Sequence, residues 1–348
     1  MQRFYLNNMK VPKVSIIIVN YKQKQLTIDC LNSLKGATYP NYEVILVDNN
    51  SEDGSEEEIA KKFPSIILIQ SGSNTGYTGG NNLGLKYASG DYILLLNNDT
   101  KVTPGFIEPL VKDFMKDEKL GIVQSKLFVM DRPYLLDNVV SFQTFNGFLY
   151  HEGYLDTDKP KYQNFLYSFS AKGACMMINK KVLSLGLFDD SYFAYFEETD
   201  LCWRAWLMGY KVGFEPNSII YHKMGATSSK MKSTFIHYHS FKNRIRTIIK
   251  NSDNFTLLWM LPTHLMLCLS LAIYFLFSEI NGTKSIFNAF WWNILNLKDT
   301  LRLRKRIQSK RQILDSEIFK EVFKNPPLSF YLKHLSLVKE NLSDDRKT

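Results

Sequence analysis

Cysteine is scarce in this chain: Cys30, Cys175, Cys202 and Cys268 are the four among 348 residues, with no CxxC pair and no metal-ligand spacing. That pattern excludes a disulfide framework and a zinc knuckle, and it predicts reduced residues, buried in a core or against a bilayer, in a cytosolic setting. Residues 1–12 hold no apolar run of signal-peptide type, so no secretory leader is expected. No internal repeat and no low-complexity tract interrupts the chain. A P-loop is missing, since no glycine run ends in GK[ST], and no GxGxxG follows the first strand-like run. Charge is missing from one long stretch: Phe255 to Ser278 contains no Asp, Glu, Lys or Arg.

What is present suits a globular chain of one large domain plus an appendage, with 45% hydrophobic and 22% charged residues. Aromatics are frequent, 24 Phe and 19 Tyr, as befits a large core, a sugar-stacking surface or a membrane boundary. The net charge of +9 is uneven. Lys242, Arg244, Arg246 and Lys250 form one basic cluster, and Arg302, Arg304, Lys305, Arg306, Lys310 and Arg311 form another. Because both flank the most apolar stretch, they are read as facing anionic lipid rather than nucleic acid.

The first half alternates strand and helix signals. Val14–Val19, Glu43–Val47, Ser65–Ile69 and Tyr92–Leu96 read as strands, the first and second as apolar runs buried on both faces. Helical stretches lie between them, over residues 25–35, from the acidic run Glu56–Glu58, and over Asn81–Ala88. This rhythm predicts an α/β fold with a mostly parallel sheet flanked by helices. Residues 121–188 read as mixed strands and loops. A helix over Glu198–Gly209 and short strands over Lys211–Phe214 and Ser218–Tyr221 follow. From Ser233 the character is helical and apolar. Residues 255–278 are long enough to cross a bilayer, but basic clusters on both sides, with Pro262 and His264 inside, favour a re-entrant or interfacial hairpin. Trp291 and Trp292 have the composition of an interface anchor. A buried helical hairpin is the alternative. The expected division is 1–232, with a nucleotide-binding half of about 13–120 and a catalytic half of about 121–232, then a helical region 233–348.

In open α/β sheets ligands bind beyond the carboxyl ends of the strands. There the chain carries Asn20 and Tyr21, then Asp48, Asn49 and Asn50, then Asn97, Asn98 and Asp99. One such residue is an ordinary helix cap; three clusters at one edge argue for a ligand site. Tyr21 is suited to stack on a nucleobase and Asp48 to accept from a ring N–H, or else to cap the SEDGS turn after it. The glycine-rich run Asn74-Thr-Gly-Tyr-Thr-Gly-Gly-Asn81, with Gly76 and Gly80, precedes a helix and offers backbone N–H groups to a ribose or diphosphate. Asp99, after an apolar strand, suits a hard divalent cation that needs one or two carboxylates besides phosphate oxygens. Glu197 and Glu198 stand before a helix, where a carboxylate can act as general base. Asp200 and Arg204 are spaced as a helix-surface ion pair, with orientation of the glutamates as the alternative. His222, after the strand SIIY, is the third candidate at the cation.

Together these residues resemble the family-2 glycosyltransferases of the GT-A fold, in particular the rhamnosyltransferase-like branch. The likeness covers about residues 13–228 and rests on VSIIIVNY, VILVDNNSEDGS, NTGYTGGNNLGL, YILLLNNDT, GACMMINKKVLSLGLFD, YFEETDLCWRAWLMGYKV and YH. The resemblance implies an inverting single displacement from a nucleoside-diphosphate sugar, such as dTDP-rhamnose, to a hydroxyl of a glycan or lipid-linked saccharide, with Mg²⁺ or Mn²⁺. It implies Asp48 at the nucleobase, Asn97 to Asp99 in the place of the metal-binding DxD motif, and Glu198, with Glu197 in reserve, as the base. His222 would complete the metal site, and Gly173 would lie near the donor or acceptor sugar. The C-terminal region resembles tails of relatives at the cytosolic membrane face. A polyprenyl-phosphate glycosyltransferase and an inactive nucleotide-sugar-binding membrane protein are the rival expectations.

Overall fold

Val14, Ile16, Ile17 and Ile18 are wholly buried, each worth about 1.5–3 kcal/mol of apolar burial, and they make the first strand an interior strand of the sheet, covered on both faces. The computed structural model describes residues 11–226, 231–278 and 280–326. The residues 1–10 and 327–348, where the leader expectation and the end of the helical region fall, lie outside the described residues, as do 227–230, the first two within the span of the family likeness, and 279.

The chain runs β1 (Val14–Asn20), α1 (Lys24–Leu34), β2 (Tyr42–Asp48), α2 (Ser55–Lys62), β3 (Ile67–Gln70), α3 (Gly76–Leu85), β4 (Tyr92–Leu96), β5 (Thr100–Val102) and α4 (Ile107–Lys116). It continues through β6 (Leu120–Val129), β7 (Arg132–Asn138), β8 (Val140–Gln143), β9 (Leu149–Glu152), β10 (Leu166–Tyr167), β11 (Cys175–Asn179), α5 (Glu197–Leu207) and β12 (Lys211–His222). Five helices close it: α6 (Ser233–Asn251), α7 (Asn254–Ser278), α8 (Ile280–Leu295), α9 (Leu297–Gln308) and α10 (Asp315–Val322).

The main path of the large sheet is β10-β12-β6-β11-β4-β1-β2-β3. The expected parallel order holds in the half β4-β1-β2-β3. Beyond it the sheet is mixed: β11 runs antiparallel to both β4 and β6, and β12 lies parallel to β6. In β1 and β2, Asn20 and Asp48 are register partners. The polar residues after β1, β2 and β4 therefore reach one sheet edge.

Three local differences from the sequence reading have physical causes. The helix expected at Asn81 begins at Gly76, so most of the glycine-rich run is helix rather than loop. Its glycines let α3 lie against the sheet: a Cβ on Gly80 would stand 2.7 Å from Val19 Cγ1, and one on Gly84 2.6 Å from Ile17 Cγ2. Residues 120–129 form one long buried strand, hidden in the sequence by Gln124, Ser125 and Lys126. These polar groups are paired inside: Gln124 Nε2 donates to Val139 O at 2.9 Å, and Lys126 Nζ meets Asp158 at 2.9 Å. The two short strands expected after Gly209 are one strand, β12, whose register shifts between Glu215 and Ile219, around Pro216. Gly209 ends the preceding helix as expected, with a left-handed φ of 87°.

The first basic cluster does not face lipid. Lys242, Arg246 and Lys250 of α6 are buried. Arg246 and Lys250 both reach Asp189, at 2.9 and 2.6 Å, and Lys250 also reaches Asp200 at 3.1 Å. α6 is thereby fixed to the body that carries α5. The helix α7 turns Met260, His264, Cys268, Ala272 and Phe275 inward, one every three or four residues, and leaves Phe255, Leu258, Met266, Ile273 and Phe277 exposed. The fully buried hairpin considered from the sequence is therefore not what forms. α7 is also the one helix among the described residues long and apolar enough to cross a membrane.

Candidate active site

A cavity of about 310 Å³ opens at the sheet edge where the strand ends converge. Of the residues singled out from the sequence, Tyr21, Asn74, Gly76, Asn98, Asp99, Gly173, Glu197, Glu198 and His222 line it. Six separate parts of the chain, the ends of β1 and β4, the 74–76 turn, the segment before β11, the start of α5 and the end of β12, thus converge on one space.

The end of β12 pairs with β5, setting His222 opposite Thr100 and beside Asp99. His222 Nδ1 lies 2.7 Å from Asp137 Oδ2, and its Nε2 lies 3.3 Å from Asp99 Oδ1. That Asp99 oxygen is buried and meets no hydrogen-bond partner in proper geometry. Burial disfavours the imidazolium, but hydrogen bonds and charge from Asp137 and Asp99 outweigh it and lift His222 to about 9. Asp137, itself wholly buried, holds one ring nitrogen and directs the other at Asp99, the arrangement by which carboxylates orient metal-ligating histidines. The donor set of one carboxylate and one imidazole fits a divalent cation that takes its other ligands from phosphate and water. Among the described residues no group of three or more His, Cys, Asp or Glu side chains could hold a metal alone.

Glu197 and Glu198 open α5, where the helix dipole favours negative charge. Each has a buried Oε2 without a partner. Burial raises both; the charge of Glu198 adds to the rise at Glu197, which lies well above the ordinary carboxylate range. Lys172 and the Gly173 backbone N–H act against the rise at Glu198. The Lys172 ammonium also lines the cavity and stands 3.6 Å from Asp137 Oδ1. Asp137 therefore holds both an imidazole and an ammonium at the wall. Neither Asp137 nor Lys172 was singled out from the sequence, and no local motif marks them.

The backbone that delivers these glutamates is strained. Phe193, Tyr195 and Phe196 all have left-handed φ, 65°, 72° and 73°, a conformation that costs about 1–3 kcal/mol per residue and clusters at functional sites. α6 holds it in place. Asn243 Nδ2 donates to the carbonyls of Tyr192, Ala194 and Tyr195 at 3.2, 2.9 and 2.6 Å, and Lys242 Nζ donates to Ser191 O at 2.6 Å.

Other expected site residues stand behind the wall. Asp48 does not point into the cavity: its Oδ1 accepts from Asn20 Nδ2 at 2.8 Å and Ser51 Oγ at 2.6 Å, and its Oδ2 from Ser51 N at 3.0 Å. It closes the turn after β2, the capping alternative read from the sequence. Asn20 is buried and bridges Asp48 to Thr27. Asn50 adopts a left-handed φ of 62° in the same turn and bonds Glu52. Gly80 and Asn81 lie inside α3, the first against Val19 and the second donating to Tyr77 O. Neither lines the cavity. Asp200 and Arg204 are not a helix-surface pair: both are buried, 2.9 Å apart, and Arg204 also bonds Gly186 O and Leu187 O. Asn49, passed over in favour of its neighbours, does line the cavity and holds the 74–76 turn through Asn74 Oδ1 and Gly76 O.

Residues 15–184 match the family described as Glycosyl transferase family 2. The low-salt glycan biosynthesis hexosyltransferase Agl10 of Haloferax volcanii is 29% identical over 255 residues, covering 69% of this chain and 78% of that protein. An uncharacterized glycosyltransferase of Bacillus subtilis, YwdF, is 32% identical over 174 residues, 43% of this chain and 64% of that protein, so the match spans just under two thirds of its length. In three dimensions the mannosyltransferase PcManGT from Pyrobaculum calidifontis, in complex with GDP-Man and Mn²⁺, superposes with a TM-score of 0.51 at 14% identity, covering 87% of this chain and 86% of that one. At that identity the likeness concerns the fold, which is GT-A.

Proposed function

From the premise that the chain is a glycosyltransferase of family 2 using a nucleotide sugar, we propose that the cavity carries out an inverting transfer to an acceptor hydroxyl. The observation that carries this reading is that Glu198 and the Asp99–His222 pair line one space, each with a buried carboxylate oxygen left without a hydrogen-bond partner. Glu198 takes the proton of the acceptor hydroxyl as that oxygen attacks the anomeric carbon; the bond to the diphosphate breaks on the opposite face. Glu197 is more deeply buried and pushed further up, which disfavours its charged form. Asp99 and His222 would hold a divalent cation, Mg²⁺ or Mn²⁺, which when bound supplies positive charge to the departing diphosphate. Lys172, held by Asp137, adds a fixed positive charge at the same wall. Tyr21 is suited to stack on the base, with Asn74, Gly76, Asn98 and Gly173 as the remaining donor contacts.

The acceptor is a glycan or lipid-linked saccharide, and the chain works at the cytoplasmic face of the cell membrane. The support is the exposed apolar side of α7 and of α8, with Phe287, Trp291 and Leu295 outward, beside the exposed cations Arg302, Lys305, Arg306 and Lys310. In this reading the catalytic body covers residues 1–232, and 233–348 is the helical membrane-facing region. Donor choice, dTDP-rhamnose included, is tested by titrating the full-length protein with a panel of nucleotide sugars, with and without Mn²⁺. Metal-dependent binding of one donor is expected; a folded protein that binds none would end the proposal.

A further inference from the structure

Four cations lie on α6, and they do not share one fate. Lys242 bonds a carbonyl, and Arg246 and Lys250 meet carboxylates. Arg244 has no hydrogen bond and no acidic partner among the described residues, and its Nε is buried without a partner. Its guanidinium is clasped by two rings, 4.1 Å from the centre of Phe148 and 4.7 Å from that of Phe196. Phe196 lines the cavity and immediately precedes Glu197. Phe148 packs on His264 of α7, 5.1 Å between ring centres. The guanidinium therefore stands between the active-site wall and the inward face of the helix whose outward face is exposed and apolar. Beyond these rings, no carboxylate among the described residues supplies a counter-charge. His264 is pushed down to about 3 by burial and by the charge of Arg244 itself, and so is neutral. An uncompensated, half-buried charge is costly to keep. Stacking fixes the guanidinium plane while leaving its N–H fork free, the form suited to a tetrahedral oxyanion.

We propose that Arg244 is a binding residue for a phosphate group carried by the acceptor, at a subsite separate from the Asp99–His222 pair that faces the donor diphosphate. The ligand class is a phosphate or diphosphate ester with an apolar tail. Its phosphate meets Arg244 between the Phe148 and Phe196 rings, its saccharide end enters the cavity towards Glu198, and its tail passes to the exposed face of α7. This deepens the glycosyltransferase reading and rests on it, because the subsite borders the cavity assigned to transfer.

The test is binding to the full-length protein in detergent micelles with excess EDTA, which keeps metal-dependent donor binding out of the measurement. The probes are farnesyl diphosphate, farnesol and inorganic pyrophosphate. Farnesyl diphosphate is expected to bind the wild type at least ~10-fold more tightly than Arg244→Gln, a loss in line with one charge-assisted contact. Farnesol should bind both proteins alike. Pyrophosphate binding that is also lost in the variant assigns the subsite to free as well as lipid-borne phosphate; pyrophosphate binding equal in both assigns it to the lipid-borne group. Arg244→Gln should melt at or above the wild-type temperature, because it removes an unpaired charge. A lower melting temperature with unchanged farnesyl diphosphate affinity makes Arg244 structural and overturns the proposal. Should that variant not fold, Arg244→Lys decides: it loses the fork, so several-fold weaker binding is expected and unchanged affinity overturns the proposal. Donor binding with Mn²⁺, measured separately on the same proteins, should not change with Arg244. Its absence in the wild type would strike the transfer reading and leave the phosphate result standing on its own.

Discussion

Two adjacent carboxyls at one helix start, Glu197 and Glu198, are both pushed up by burial, yet only Glu198 has an ammonium acting to keep it ionised. In the proposed transfer that asymmetry favours Glu198 over Glu197 as the base. Glu198→Gln should leave donor affinity intact and lower kcat by about 10²–10⁴-fold; near wild-type turnover would remove Glu198 from the base role. The pH profile tests the same point. A base with a raised pKa is protonated as pH falls through a value above the ordinary carboxylate range, so the acid limb of kcat should lie above about 4.3. Lys172 pulls that pKa down, hence Lys172→Met should move the limb to higher pH. A limb that stays put, or moves lower, contradicts the assignment. In the proposed cation site Asp137 is a positioning residue rather than a ligand. Asp137→Asn should weaken Mn²⁺ binding, read by electron paramagnetic resonance without substrate, by about 10–100-fold. Equal Mn²⁺ affinity would mean that His222 does not need its orienting carboxylate.

The turn before α5 and the helix α6 form one device. Three left-handed residues, Phe193, Tyr195 and Phe196, aim the helix start at the cavity, and Asn243, wholly buried, ties three of the surrounding carbonyls down. Asn243→Ala should cost about 1–3 kcal/mol of stability, since each lost hydrogen bond is worth about 1 kcal/mol net, and should lower kcat while donor affinity holds. A fall in melting temperature with unchanged kcat would reduce the clamp to a packing role. Elements of this kind explain what the sequence could and could not disclose. The strands β1, β2 and β4 were legible because continuous β-branched runs have few other uses, and the residues after them were legible because parallel strands end together. The orientation of Asp48 was not, since a carboxylate capping its own turn and one facing a base occupy the same sequence position. The start of α3 was hidden by glycines, which read as loop but here permit close contact with Val19 and Ile17. Asp137 and Lys172 were hidden because their partners are far away in sequence: Asp137 meets His222 only through the pairing of β6 with β7 and β12, and Lys172 meets Asp137 across the cavity wall.

At the scale of the whole molecule, the helical region is both scaffold and surface. One side of α7 packs inward through Met260, His264, Cys268 and Ala272, so the helix is committed to the protein along that face. A helix so committed, with its opposite face apolar and cations on the neighbouring α9, is suited to lie in the plane of a bilayer surface. The sequence held the composition of this surface but not its division. Both basic clusters read as facing lipid in the sequence, although Arg246 and Lys250 of the first are buried against Asp189 and Lys305 and Arg306 of the second are exposed. The difference makes the charge and apolar contributions separable. Lys305→Gln together with Arg306→Gln should weaken binding to phosphatidylglycerol-containing vesicles by about 30-fold at low salt, from about 1 kcal/mol per cation, and leave binding to neutral vesicles unchanged. Leu258→Glu with Phe277→Glu, on the outward face of α7, should abolish binding to both. Neither pair touches the cavity, so donor binding should persist in both double variants. Should Arg246→Gln release the protein from anionic vesicles while Lys305→Gln with Arg306→Gln does not, the lipid-facing surface would be the α6 side and the orientation argued from α7 would be reversed.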